Sequence, residues 1–352
     1  MMKKIKVLIV DDSPVVRNIL SRELSKDALI EIIGTAPDPY IARDKIVRLK
    51  PDVITLDVEM PRMDGITFLQ KLMVYHPMPV IILSSLTPSG CETALKALEL
   101  GAVEVMHKPE IDLSYKLKEM IILLVDKIKA ADAVKYRFNA NALKNKKIAA
   151  PVPLKMTSML KTTDKIVAIG ASTGGTEALR SIIAVLPPNF PGTVVTQHMP
   201  ENFTQSFADS LDKISQVEVR EGKNGDTVRP GLVFIARGNY HMLLRRSGAR
   251  YYIEVKQGPL ICRQRPSVEV LFNSVAKCAG KNAIGVILTG MGNDGAFGML
   301  QLKESGAFTI AQDEQSCVVF GMPKEAIKAG AVEKILPLNR IPQALMNRLA
   351  VM

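Results

Sequence analysis

Cysteine is scarce and scattered. Cys91, Cys262, Cys278 and Cys317 are the four thiols, and none has the paired spacing of a metal-binding motif. That argues against a thiolate metal centre or a disulfide framework and for free thiols in a reducing compartment. Long apolar runs are missing too. No stretch approaches the roughly 20 residues that cross a bilayer. The N-terminal run, Val7 to Val10, stops at Asp11 and Asp12, so it is not a signal peptide. The expected location is the cytoplasm, without membrane insertion. Internal repeats and low-complexity tracts are absent. What remains is the composition of a globular protein, 47% hydrophobic and 23% charged, in 352 residues that suffice for two cores.

Charge is unbalanced, with a net of +11. Most of the excess is local. From Lys127 to Lys165, ten lysines or arginines face only Asp132 and Asp164, a net of +8. A block of that kind reads as a solvated linker rather than a nucleic-acid surface. It could still touch an acidic partner. The expected layout is one domain over residues 3–125, a basic linker over 126–163 and a second domain over 164–352.

In the first domain, apolar runs at Ile5–Val10, Ile30–Gly34, Val53–Leu56, Val80–Leu83 and Val103–Met106 alternate with amphipathic stretches. Five successive βα units predict a parallel, doubly wound (βα)5 sheet with helices on both faces. Ligands in such sheets bind at the carboxyl ends of the strands. The second domain repeats the α/β pattern from Ile166–Ile169 onward, with helices expected at Gly174–Val185, Ser267–Cys278 and Asp294–Glu304. Runs at Met242–Leu244 and Tyr252–Val255 predict an antiparallel hairpin region in its middle.

Acids cluster at the strand ends of the first domain: Asp11 and Asp12 after the first strand, Asp57 after the third. Three carboxylates in one place repel unless a divalent cation sits among them, and oxygen donors suit Mg²⁺. The bland alternative is that Asp11-Asp12-Ser13-Pro14 caps a helix. The surrounding pattern favours chemistry. Glu59 follows Asp57, Ser84 ends the fourth strand and Lys108-Pro109 follows the fifth. A metal site, a carboxylate nucleophile, a hydroxyl and an ammonium are the parts for phosphoryl transfer to an aspartate. Residues 3–125 closely resemble the response-regulator receiver domain. The resemblance implies that Asp57 is phosphorylated and that Asp12, Asp57 and the Glu59 carbonyl ligate Mg²⁺, with Asp11 assisting through water. It implies that Ser84 is the switch hydroxyl and Lys108 the phosphate-sensing lysine, with a cis bond before Pro109. Val105 stands where many receivers carry an aromatic switch residue.

The segment Gly170-Ala171-Ser172-Thr173-Gly174 follows an apolar strand and precedes a helix. It fits the G-x-S-x-G elbow that lifts a serine out at a strand end. A glycine-rich phosphate loop and an ordinary tight turn are the competing readings. The spacing of a dinucleotide loop and the Lys-Ser/Thr pair of a P-loop are both missing. A nucleophilic serine needs a base, and the chain has only four histidines. His76 and His107 belong to the first domain. His198 follows the run Thr193–Thr196 and would emerge beside Ser172 if the two strands are neighbours. His241 is the reserve. Asp294, in Gly290-Met291-Gly292-Asn293-Asp294-Gly295, could orient the base, or it could cap the helix that follows. Glu177, already on the helix after the elbow, is poorly placed for that task.

The order Ser172, His198, Asp294 resembles the chemotaxis protein-glutamate methylesterases of the CheB family. The likeness extends through Arg265-Pro266-Ser267-Val268-Glu269 and Ala311 to Pro323; Arg237 departs from it, where proline is usual. The resemblance implies hydrolysis of glutamate γ-methyl esters on chemoreceptors, releasing methanol, with Ser172 as nucleophile, His198 as base and Asp294 as its orienting acid. Backbone N–H groups near Thr173 and Met291 would hold the oxyanion, and no metal is needed for this step. Family members also deamidate receptor glutamine. The implied phosphodonor is a chemotaxis histidine kinase, and the expected state is a monomer. The resemblance further suggests that the receiver blocks the esterase until it is phosphorylated. A DNA-binding response regulator is the main rival, but 166–352 is too long for a simple helix-turn-helix module and its polar signals are catalytic rather than basic.

Overall fold

The computed structural model describes residues 3–60, 64–85, 87–108, 114–134 and 164–352. Two units divide at Lys147 and Ile148. In the first, β1 (Ile5–Val10), β2 (Ile30–Ala36), β3 (Val53–Asp57), β4 (Val80–Ser84) and β5 (Glu104–His107) form one sheet in the order β2-β1-β3-β4-β5. Every pair in it is parallel. Helices α1 (Pro14–Leu24), α2 (Pro39–Leu49), α3 (Gly65–Tyr75), α4 (Pro88–Glu99) and α5 (Ser114–Val134) connect and cover the strands. Strands β3 and β4 are buried along their whole length, as central parallel strands must be when both faces are covered.

Local chemistry sets the helix starts. Ser13 caps α1 by accepting from Val16 N, with proline at the first helical position. The capping task at this strand end thus falls to Ser13, leaving Asp11 and Asp12 for other work. At the far end, α5 corrects the expected domain boundary. Residues 126–134, assigned to the linker from their charge, continue this helix. Ile128, Ala130 and Ala131 are buried, while Lys127 pairs with Glu104 and Lys129 with Asp27, each at 2.7 Å. Two of the basic residues that suggested a solvated linker therefore anchor the first unit. The rest of that segment, 135–163, and Pro109 with its expected cis bond lie outside the described residues.

The second unit has a seven-stranded sheet ordered β15-β14-β13-β6-β7-β10-β8. Its central strands are β6 (Ile166–Ala171), β7 (Gly192–Gln197) and β13 (Ala283–Ile287), with β10 (Leu232–Ile235) and β14 (Phe308–Gln312) beyond them. Its outer strands are β8 (Glu218–Glu221) and β15 (Lys334–Leu336), and all of its pairs are parallel. The chain builds one wing outward from β6, then returns through β13 to build the other. That reversal puts a topological switch point at the carboxyl end of β6. Its helices are α6 (Gly175–Ile183), α7 (Phe203–Asp212), α8 (Val268–Ala279), α9 (Ala296–Glu304), α10 (Met322–Lys328) and α11 (Ile341–Leu349). The expected hairpin is a separate antiparallel sheet, β11 (His241–Ser247) with β12 (Arg250–Lys256) and β9 (Thr227–Val228). Helix α8 packs on α9, on β11 and on β6, so Phe272, Leu271 and Val275 sit at the centre of the core. The four cysteines are free thiols. Among the described residues no helix is long and apolar enough to cross a membrane.

Candidate active site and phosphoacceptor site

Ser172 leaves β6 at the switch point. Its N–H donates to the Thr289 carbonyl at 3.0 Å, and its own carbonyl accepts from Gly175 N at 2.7 Å, which closes the turn into α6. Gly174 carries the turn at φ +76°, and a Cβ there would lie 2.4 Å from Val318. Gly170, two residues upstream, lets α8 press against β6. A Cβ at that position would sit 2.2 Å from Val268 Cγ1 and 3.2 Å from Phe272. Gly170→Ala is therefore expected to overpack this contact and destabilise the protein by about 1–3 kcal/mol. Chemical denaturation checks it; an unchanged midpoint would show that α8 does not press on β6 here.

Register brings the histidine to the serine. Ala171 pairs with Gln197, so Ser172 and His198 leave adjacent strands side by side, and His198 N donates to the Ala171 carbonyl at 3.1 Å. Buried Gln197 fixes both. Its Nε2 donates to the Ser172 carbonyl at 3.0 Å and the His198 carbonyl at 3.1 Å. His198 Nε2 lies 2.7 Å from Asp294 Oδ2, while its Nδ1 is buried without a hydrogen-bond partner. The ring thus meets the acid through Nε2, leaving Nδ1 as the nitrogen that can take a proton.

Asp294 does not cap the helix that follows it. That cap is Gly295, at φ +87°. The carboxylate reaches across instead to the N-terminus of α8. Oδ1 accepts from Ser267 Oγ at 2.8 Å and Glu269 N at 3.0 Å, and Oδ2 accepts from Val268 N at 2.7 Å. Burial alone would raise its pKa. The bonds and charge of His198, the Ser267 hydroxyl and the Val268 amide outweigh that and hold it below the usual carboxylate range.

The segment around Met291 lies against the elbow. The Thr289 hydroxyl donates to the Thr173 carbonyl at 2.9 Å and accepts from Val319 N at 2.9 Å. A Cβ on Gly290 would fall 2.7 Å from Ser172 Cβ, so only glycine allows this approach. Thr173 is buried and Met291 half-buried. His241 sits instead in the antiparallel sheet, with Nε2 bonded to the Pro259 carbonyl at 2.8 Å. Glu177 is on α6 and pairs with Arg180 at 3.6 Å. Arg237 pairs with Glu201 at 3.3 Å and lies over the Tyr240 ring. Sequence reasoning gave no role to Gln197, Ser267 or Thr289. The visible sign for Ser267 was a serine, a favoured capping residue, at the expected start of a helix.

In the first unit, Asp11 and Asp57 are fully buried and Asp12 is exposed at the same strand ends. Candidate ligand oxygens of the three lie within 4.8 Å of one another. Lys108 Nζ donates to Asp57 Oδ2 at 2.6 Å and lies 3.4 Å from Asp11 Oδ2, which has no hydrogen bond of its own. Glu59 N donates to Asp57 Oδ1 at 2.8 Å, so its backbone folds over the acid. Burial pushes the Asp57 carboxyl up to about 6 despite the Lys108 bond, and it raises Asp11 as well. Lys108 moves above its ordinary value: burial opposes this, but the bond to Asp57 and the nearby acids prevail. Two buried acids, an orphaned oxygen and an all-oxygen donor set fit a hard divalent cation. The Ser84 hydroxyl donates to the Gly90 carbonyl at 3.0 Å, in the first turn of α4.

Comparison with known proteins gives these two sites a context. Residues 7–120 match the response regulator receiver domain, and residues 167–345 match CheB methylesterase. A protein-glutamate methylesterase/protein-glutamine glutaminase from Syntrophus aciditrophicus (strain SB) is 54% identical, over 98% of this chain and 99% of its own. One from Bdellovibrio bacteriovorus is 53% identical, over 99% and 98%. The crystal structure of the Thermotoga maritima CheB methylesterase catalytic domain is 41% identical, with a TM-score of 0.52 over 53% of this chain and 99% of that one. The chain therefore belongs to the CheB methylesterase family, with a response-regulator receiver domain ahead of its esterase domain.

Proposed function

We propose that this protein hydrolyses glutamate γ-methyl esters on chemoreceptors at Ser172, under the control of phosphorylation at Asp57. The observation that carries the reading is the 2.7 Å bond between His198 and Asp294, with His198 leaving the strand that neighbours the one ending at Ser172. Ser172 Oγ attacks the ester carbonyl carbon, and its proton passes to His198 Nδ1. Asp294 keeps the other nitrogen protonated and stabilises the imidazolium. Backbone N–H groups near Thr173 and Met291 take the oxyanion as the tetrahedral intermediate forms. Its collapse breaks the bond to the methoxy oxygen, which leaves as methanol with the proton from His198. Water then attacks the acyl-serine by the same route and frees the glutamate. Receptor glutamine would react likewise, releasing ammonia in place of methanol, in keeping with the double name of the relatives.

Control begins at Asp57. Asp12, Asp57 and the Glu59 carbonyl, with Asp11 through water, would hold Mg²⁺. Its charge offsets the carboxylates and the phosphoryl oxygens. Lys108 is placed to follow the phosphoryl group. The Ser84 hydroxyl would exchange its bond with the Gly90 carbonyl for one to a phosphoryl oxygen, releasing the first turn of α4. That route needs no aromatic at Val105, which is buried. In the same reading a chemotaxis histidine kinase is the phosphodonor and the enzyme works as a cytoplasmic monomer. Asp57→Asn is expected to abolish Mg²⁺-dependent uptake of label from a radiolabelled small-molecule phosphodonor while leaving the unphosphorylated esterase rate unchanged. Label persisting on the variant would move the acceptor elsewhere.

A further inference from the structure

The first unit has a cleft of about 450 Å³ between α2 and α3 that none of the residues assigned above lines. Buried Ile46, Phe68 and Leu72 form its floor, and Tyr40, Val47 and Tyr75 stand at its rim. The rim residues are 47%, 56% and 74% exposed. Ile41 and Val74, on the same helices, are exposed as well. Five of the twelve large apolar side chains exposed among the described residues are thus on two neighbouring helices, a clustering that scattered surface hydrophobics do not show.

Charge narrows what can cover this surface. Arg43, Lys71 and His76 line the cleft, and no aspartate or glutamate does. Arg43 bonds Asp44 at 2.8 Å, but Lys71 has no ion-pair partner among the described residues. The chain's own basic segment, with its net of +8, would bring like charge to this rim. A second copy, with its net of +11, would set the same cations against one another. An acidic occupant meets neither cost. The cleft is too small for a whole helix, about 10–12 Å across, but it accommodates a few apolar side chains projecting from one face. We infer that the α2–α3 cleft docks an acidic amphipathic helix of a partner protein. Its apolar residues enter between Tyr40, Val47 and Tyr75, and its carboxylates meet Lys71 and Arg43.

The test uses the full-length protein and two fluorescent amphipathic peptides with the same leucine face, one with glutamates on the polar face and one with lysines. Anisotropy should show the glutamate peptide binding and the lysine peptide not. Val47→Glu and Tyr75→Ser should each weaken binding by about tenfold or more, the loss typical of an anchor in a docking pocket. Lys71→Glu should weaken the glutamate peptide and admit the lysine peptide. Methanol release should be unchanged in all three, because none of these residues belongs to the Ser172 or Asp57 sites. If Val47→Glu disturbs folding of the first unit, Mg²⁺-dependent phosphoryl uptake at Asp57 will fall with it, and the surface variant Tyr75→Ser then carries the test. Failure of the glutamate peptide to bind, equal binding of both peptides, or binding untouched by the folded variants would overturn the proposal. A concentration-dependent dimer dispersed by Tyr75→Ser would overturn it too, in favour of a second copy.

Discussion

Ser172→Ala is expected to lower methanol release from methylated receptor membranes by a factor on the order of 10⁶, the loss seen when a triad nucleophile is removed. The size follows from the proposed mechanism, in which the acyl intermediate forms on the hydroxyl that alanine lacks. What survives is transition-state binding by backbone N–H groups, which still exceeds water alone by roughly 10³–10⁴. Stability should hardly change. The contacts that build the elbow are backbone bonds to Thr289 and Gly175, the Gln197 clamp on the carbonyl and the close approach of Gly290 to Cβ. Alanine keeps all of them. A variant that melts like the wild type but releases no methanol separates chemistry from folding. One that keeps the wild-type rate would remove Ser172 from the mechanism.

Asp294→Asn should behave differently, costing on the order of 10⁴ in rate and some stability as well. The carboxylate accepts four bonds, two at each oxygen. An amide can accept at only one. If its NH₂ faces His198, the ring must turn an unprotonated Nε2 toward it and carry its proton on Nδ1, the nitrogen that should receive the Ser172 proton. Val268 N then loses its acceptor, a buried unsatisfied donor worth about 1–3 kcal/mol. The opposite flip abandons Ser267 and Glu269 instead. The pH dependence carries the same signature. Asp294 titrates lower in the folded than in the unfolded protein, so its contribution to stability is complete above the ordinary carboxylate value. It is lost as pH falls through the lower folded value. Wild type should therefore lose more stability than Asp294→Asn between neutral and strongly acidic pH. Parallel pH–stability curves would mean that the carboxylate does not hold α8.

Strand centres were legible because buried parallel strands are continuous apolar runs; β1, β3, β4 and β6 stand within a residue or two of where the pattern put them. Strands β8, β9 and β15 were not. Glu218–Glu221 has one buried residue, Thr227–Val228 is two residues long, and Lys334–Leu336 is an edge strand without a buried position. None has enough apolar period to read. Helix α7 escaped notice because Asn202 precedes it at φ +70° with no side-chain cap bond. The placement of Ser172 and His198 followed from strand ends. The role of Asp294 at α8 did not, because Ser267 and Val268 lie far from it in sequence and only the fold brings them together. The boundary at 126 failed because charge was taken for solvation, whereas Lys127 and Lys129 are paired.

A receiver joined to a serine esterase makes one demand that neither site makes alone: the rate at Ser172 must answer to the state of Asp57. The direct measurement is methanol release from methylated receptor membranes by the full-length protein with Mg²⁺, with and without a small-molecule phosphodonor. Release should rise when the phosphodonor is added, and the rise should vanish in Asp57→Asn. A rate that ignores the phosphodonor while Asp57 becomes phosphorylated would contradict the account.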